Sequence, residues 1–238
     1  MKYDKDYYEN FAKLVLEYYF PDKFVNMQKG EKPDWGNENI GLEITRALST
    51  QEGEFDAFIK DNLNRPYCDM VKRLKKMGFL TEPTLDKNKI FYEQRSKKYG
   101  RLLYLKRKSD EKLALVASLG GFGLLTDCVL PIKDAIESKL KKLNSHYDYK
   151  EINDLAILVQ EQLNTMALQD EIVAEVVQEM LLAVRELYAL NFDKRFNNIY
   201  VIFYDNIFCV ETHTFECKRI KISGSELLSL SKKAFAVG

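Results

Sequence analysis

Histidine and cysteine are scarce in this chain: two of the first and four of the second among 238 residues. The cysteines (Cys68, Cys128, Cys209, Cys217) show no C-x-x-C spacing, and His146 and His213 stand far apart. A zinc site would need these scattered residues to converge, so none is expected. A disulfide framework is not needed either, because a chain of this length can bury roughly 70–75% of its unfolded surface. The sequence does not open on a signal-like apolar segment, and it lacks an apolar run of the roughly 18 residues a membrane span requires. The expectation is a soluble, reduced, cytoplasmic protein without a membrane partner. Net charge is missing too, since 36 Lys and Arg balance 36 Asp and Glu. Overall charge therefore selects no partner.

What the chain does have is aromatic bulk and a lopsided charge distribution. Fourteen Tyr, fourteen Phe and a 46% hydrophobic content predict an ordered globule. Between Lys60 and Lys112 there are 16 Lys or Arg against 7 Asp or Glu, an excess of nine positive charges that the rest of the chain must offset. Such a split can separate a phosphate-binding surface from a metal-binding one.

The periodicity predicts a helix over 5–20, where Tyr8, Phe11, Leu14, Val15 and Tyr18 recur at helical spacing and Pro21 ends the run. A strand is expected at Ile40–Thr45 and a helix over 51–77, with Pro66 a point at which it can break. Two strands, "KIFYEQ" and "KLALVAS", should flank the basic segment. Pro131 suits the first turn of a helix running to about Asn144. The apolar runs 155–159 and 199–204 read as buried strands on either side of a helix over 169–190, and Asp205-Asn206 as a hairpin turn. The expected architecture is one α/β domain, residues 1–238, with a helical and hairpin insertion at about 50–115.

The stretch "KPDWGNENIGLEIT" (32–45) carries the chemistry. Side chains alternate along a strand, so Ile40, Leu42 and Ile44 share one face and Gly41, Glu43 and Thr45 the other. Glu43 thus projects beside a glycine that leaves room for another group. If the intervening turn folds 33–35 back against the strand, Asp34 and Glu43 converge. Two close carboxylates repel unless protonated or bridged by a cation, and oxygen ligands of this kind suit Mg²⁺ or Mn²⁺.

Pro33-Asp34, a variable turn and Glu43-Ile44 on the following strand resemble the motif of the PD-(D/E)XK nuclease superfamily, with its restriction-endonuclease-like fold. The order of a leading helix, a Pro-Asp strand, a Glu strand, a later helix and a buried strand is similar as well. The resemblance covers about 110 residues and leaves 50–115 unassigned. It implies a central mixed sheet flanked by helices and divalent-metal-dependent phosphodiester hydrolysis of DNA. Asp34 and Glu43 would be both catalytic and metal-binding. The family often adds a glutamate from its leading helix, and Glu17, at the border of the apolar face, is the candidate.

The chain departs from the family at one position. Thr45 stands where the motif lysine belongs, and threonine has no positive charge with which to orient an attacking water. The helix "PIKDAIESKLKKLN" offers a substitute. At about 100° per residue, Ile132, Ile136, Leu140 and Leu143 form one stripe, and Lys139 falls inside it while Lys141 points away. A lysine within an apolar stripe is costly unless its amine reaches water or a carboxylate. Lys139 is therefore the expected third catalytic residue.

Within the insertion, Lys97, Lys98, Arg101, Lys106, Arg107 and Lys108 interleave with Tyr92, Tyr99 and Tyr104. Cations neutralise phosphates and aromatics can stack on unpaired bases, so this composition suits nucleic acid without specifying a sequence. The expected function is that of a metal-dependent nuclease acting on DNA, with a homodimer left open. The alternatives are a catalytically inactive relative that binds nucleic acid or a protein, and an unrelated interaction protein with a chance Pro-Asp and Glu.

Overall fold

The computed structural model describes residues 5–48, 66, 69, 72, 73, 76, 91–96, 100–106, 109, 113–119, 126–145, 149–159, 170–203 and 205–237. The chain forms two compact units, one from residues 1–47, 125–161 and 167–238, the other from 48–124 and 162–166. The first is an α/β unit with a seven-stranded mixed sheet flanked by helices.

That unit opens with α1 (Lys5–Tyr19), which stops just before Pro21. Pro21 then begins the short helix α2 (Pro21–Phe24), a position where its missing N–H leaves no hydrogen bond unmade. Two-residue strands β1 (Gln28–Lys29) and β2 (Trp35–Gly36) lead into β3 (Ile40–Ala47). After the second unit come α3 (Thr126–Leu143), β7 (Ile152–Val159), α4 (Asp170–Tyr188), β8 (Asn198–Phe203), β9 (Asn206–Glu211), β10 (Glu216–Lys221) and α5 (Gly224–Val237). The sheet order is β1-β2-β3-β7-β8-β9-β10. Strands β3, β7 and β8 run parallel, and the outer pairings are antiparallel.

Alternation along the central strands divides the core into two layers. Leu155 and Ile157 of β7 pack with Ile136, Leu140 and Leu143 of α3 and with Met180 and Val184 of α4. Ala156 and Leu158 face the other way, joining Ile40, Leu42 and Ile44 of β3 with Val15 and Leu16 of α1 and Leu230 of α5. Leu42 is completely buried, and truncating it to alanine should cost about 2–5 kcal/mol. The expected core face of β3 is the observed one. Its other face, with Gly41 and Glu43, turns toward the side that α3 covers.

Several sequence expectations need correction. The helix read from Pro131 starts at Thr126, so Pro131 lies inside α3. A proline there forgoes one helical hydrogen bond and crowds the carbonyl four residues back, a cost that the buried packing of Ile132, Ile136, Leu140 and Leu143 offsets. Strand β7 starts at Ile152 instead of 155, because Asn153 and Asp154 interrupt the apolar run without leaving the sheet. The hairpin between β8 and β9 closes on the pair Phe203–Asn206, which puts Asn206 in the strand instead of the turn. Strand β10 and helix α5 had no sequence expectation at all.

In the second unit, β4 (Phe91–Ser96), β5 (Gly100–Lys106) and β6 (Leu113–Leu119) form an antiparallel three-stranded sheet. The basic segment expected between two strands therefore includes a strand of its own. Of the helix expected over 51–77, Asp69, Lys72, Arg73 and Lys76 are helical. Pro66 forms an isolated β-bridge instead, and the other positions lie outside the described residues.

Candidate functional site

Residues 33–36 fold back on β3, as the short strand β2 pairs Trp35 with Leu42 and Gly36 with Gly41. Asp34 immediately precedes Trp35, so antiparallel pairing brings it alongside Glu43. Its Oδ2 accepts a hydrogen bond from the Ile44 backbone N–H at 2.8 Å. The glycine in β3 has a physical reason. A Cβ on Gly41 would lie 2.6 Å from Asn153 Oδ1, 2.7 Å from Pro33 Cγ and 3.2 Å from Pro33 Cβ. Only a residue without a side chain lets the Pro-Asp corner close on the sheet at this point.

From the helical side, Lys139 reaches the same place. Its ammonium donates to Glu43 Oε2 in a very short contact and lies 3.5 Å from Asp34 Oδ2. The three side chains are only 4% (Glu43), 10% (Lys139) and 13% (Asp34) exposed. Burying any one of these charges alone would be expensive, and the pairing offsets that cost. Lys139 sits among Ile132, Ile136, Leu140 and Leu143, all buried, as the helical stripe requires. Lys141, in contrast, is 65% exposed and pairs with Glu137 at 2.5 Å on its own helix.

Asp34, Glu43 and Lys139 are thus brought together, and Glu17 is not. Glu17 lies on α1, whose apolar residues pack on the face carrying Ile40, Leu42 and Ile44, and its carboxylate pairs with Lys13 at 2.6 Å. One helical turn separates those two residues, which sets their side chains side by side on the helix. Among the described residues no group of three or more His, Cys, Asp and Glu is placed to hold a metal ion. Two carboxylates remain a workable set for Mg²⁺, which keeps several waters and is usually bound by one or two protein carboxylates plus phosphate oxygens. The hydrogen bonds and ion pairs of the site fall on Asp34 Oδ2 and Glu43 Oε2. Among the described residues, Asp34 Oδ1 and Glu43 Oε1 carry none.

The proposed nucleic-acid residues belong to the second unit. Arg101 and Lys106 lie in β5, Arg101 opposite Arg95 and also opposite Leu119. Lys97, Lys98, Arg107 and Lys108 lie outside the described residues.

Two buried polar residues beside this group had no sequence expectation. Asn153 is in register with Gly41 and only 4% exposed. Its amide N–H₂ is taken by the Lys150 carbonyl, and its Oδ1 has no hydrogen-bond partner among the described residues. Asp154 is fully buried on the opposite face, paired with Lys23 at 2.6 Å and accepting hydrogen bonds from Asn198. Lys23 also donates to the Tyr200 hydroxyl at 3.1 Å. Burial, reinforced by the Asp154 charge, holds that phenol far above its ordinary range, and burial pushes the Cys209 thiol up as well. An acid placed next to a buried strand was the available signal for Asp154, the same signal that singled out Glu43.

No protein-family model, curated protein or solved structure matches this chain. Among the described residues, no helix is long and apolar enough to cross a membrane.

Proposed function

We propose that this protein is a divalent-metal-dependent nuclease of restriction-endonuclease-like fold, hydrolysing phosphodiester bonds in DNA. What supports this reading above all is the Lys139 amine at the Asp34–Glu43 pair. The strand position of the motif lysine holds Thr45, and a lysine from another element supplies the missing charge at the two carboxylates. A chance Pro-Asp and Glu would not call for that arrangement.

In this reading Asp34 and Glu43 hold Mg²⁺ or Mn²⁺, which when bound would acidify water and offset charge on the phosphate. Lys139 donates hydrogen bonds that hold the attacking water in line with phosphorus. Its charge also offsets the negative charge that grows on the phosphoryl oxygens. The water oxygen bonds to phosphorus as the bond to the leaving sugar oxygen breaks; the water gives its proton to a phosphate oxygen or bulk water, and the departing sugar oxygen takes a proton from bulk water. The basic stretch 95–108 would contribute backbone affinity without reading sequence.

The test is incubation of labelled single- and double-stranded DNA with the protein in Mg²⁺, in Mn²⁺ and in EDTA, beside Glu43→Gln. Metal-dependent cleavage that the Glu43 variant lacks is expected. If the wild type cleaves neither substrate with either metal, the reading falls and the catalytically inactive, binding-only alternative takes its place.

A further inference from the structure

The Asp34–Glu43 pair already has a cation. Lys139 brings one positive charge to two negative ones, and its ammonium contacts an oxygen of each carboxylate within a site whose side chains are almost wholly buried. The arrangement is that of a bridging ion, supplied by the chain. A divalent ion arriving at the same two carboxylates would then meet a like charge a few ångströms away. Like charges so close repel even in the effective dielectric of a protein surface, and a divalent ion doubles the charge product. The ion and the ammonium cannot both keep the positions that the carboxylates favour.

We propose that a divalent ion enters this site by exchange with the Lys139 ammonium instead of by simple addition, so that Lys139 sets how tightly the metal is held. The inference rests on the metal-binding part of the proposed function and goes beyond it. The helix supports such an exchange. Lys139 lies about one turn before the end of α3, in a buried stripe that fixes its backbone while its flexible four-carbon stem can swing. Once displaced from Glu43 Oε2, the amine is free to bind the water or the phosphate, the task assigned to it above. Metal loading and the arming of the lysine are then one event. Without metal, the ammonium keeps two buried carboxylates compensated and the fold intact. This also accounts for a lysine that comes from a helix: a long side chain arriving from outside the sheet can leave, whereas one at position 45 would lie within the strand.

The experiment is Mn²⁺ binding, followed by the electron paramagnetic resonance of the free ion, for wild type, Lys139→Met and Glu43→Gln. Methionine keeps the unbranched stem and removes the charge. Lys139→Met should bind Mn²⁺ more tightly than wild type by roughly ten-fold or more, given the size of the repulsion removed. Glu43→Gln should lose the binding. Because Lys139→Met leaves two buried carboxylates without a counter-charge, its thermal stability is measured in parallel. The variant should be less stable than wild type in EDTA and recover more on adding Mn²⁺ than wild type gains. Equal or weaker binding by a folded Lys139→Met would overturn the exchange, as would the absence of Mn²⁺ binding by every variant. DNA cleavage reports separately: if Lys139→Met tightens Mn²⁺ while wild type cuts no DNA, the exchange stands and the nuclease reading fails.

Discussion

Ile44 gives its backbone N–H to Asp34 Oδ2 at 2.8 Å, although its own side chain is buried on the opposite face of the sheet. One strand thus positions both carboxylates, Glu43 through its side chain and Asp34 through the amide of the next residue. Asparagine at position 34 would keep an oxygen for that N–H. Asp34→Asn should therefore change stability by less than about 1 kcal/mol, while Asp34→Ala, which leaves the amide unmatched, should cost about 1–3 kcal/mol. Urea denaturation of the two variants checks this. Mn²⁺ binding should be weakened in both, because neither keeps the charge.

On the proposed nuclease reading, the role of Lys139 in turnover separates from its role in the fold. Lys139→Ala should lower metal-dependent cleavage by about 100-fold or more and leave DNA affinity nearly unchanged, since the lost interaction acts in the transition state. Lys141→Ala removes an exposed lysine paired on its own helix and should leave both within two-fold, or about 0.4 kcal/mol. Equal losses in the two variants would mean that general charge, and not position, matters.

Gly41 is predicted to be intolerant of the smallest addition. An alanine Cβ there would meet Asn153 Oδ1 and the Pro33 ring at distances that force one of them to move. Gly41→Ala should destabilise the protein by about 1–3 kcal/mol. Because Pro33 carries Asp34 with it, Mn²⁺ affinity should fall as well. A variant that loses neither would show that the corner is not held by this contact.

The pH dependence of stability should report on Glu226. Its carboxylate accepts hydrogen bonds from the Ser223 hydroxyl and N–H at the start of α5 and from Tyr18 and Tyr19 of α1. Those bonds, Ser223 first, lower its pKa from 4.5 to about 2. A group lowered on folding contributes stability that is complete above its unfolded value and is lost as pH falls through its folded one. The difference in melting temperature between wild type and Glu226→Gln should thus be constant above pH 4.5 and shrink from there toward pH 2. A gap that does not narrow would remove Glu226 from the linkage.

The basic segment makes a separate prediction. Affinity for DNA should fall steeply as salt rises, and charge reversal at Lys97, Lys98 and Arg101 should weaken binding to all sequences alike. Fluorescence anisotropy across a salt series measures both. Salt-independent binding would point to a protein partner.

Much of the site could be read from the sequence because its signals are local. Alternation in Ile40–Thr45 assigned the faces of β3, and the helical stripe around Lys139 gave the direction of its side chain. Glu17 shows the limit. Its position at the border of an apolar face does not say which side of the sheet the helix will cover, and α1 covers the side away from Glu43. The amphipathic strand β10 was missed for another reason. As an edge strand it exposes Glu216, Lys218, Arg219 and Lys221, so its composition resembles that of a loop. Strand β7 began three residues before its apolar run, since Asn153 and Asp154 are buried by partners that only the tertiary structure supplies.

Those two residues have a consequence for how the chain finds its register. Asn153 sits on the side of Gly41 and Glu43, Asp154 on the side of Lys23 and Tyr200. The apolar run that follows, Leu-Ala-Ile-Leu-Val, would look nearly the same to both layers of the core after a slip of one residue. The polar pair would not. Such a slip would carry Asp154 to the side of Glu43 and Asp34, leave Lys23 without its buried partner, and crowd three carboxylates around one ammonium. With a side-chain period of two, a one-residue slip exchanges the faces, and here the exchange would strand charge in the interior. The polar start of β7 acts as a key cut on both edges, admitting one alignment of the parallel strands and rejecting its neighbours.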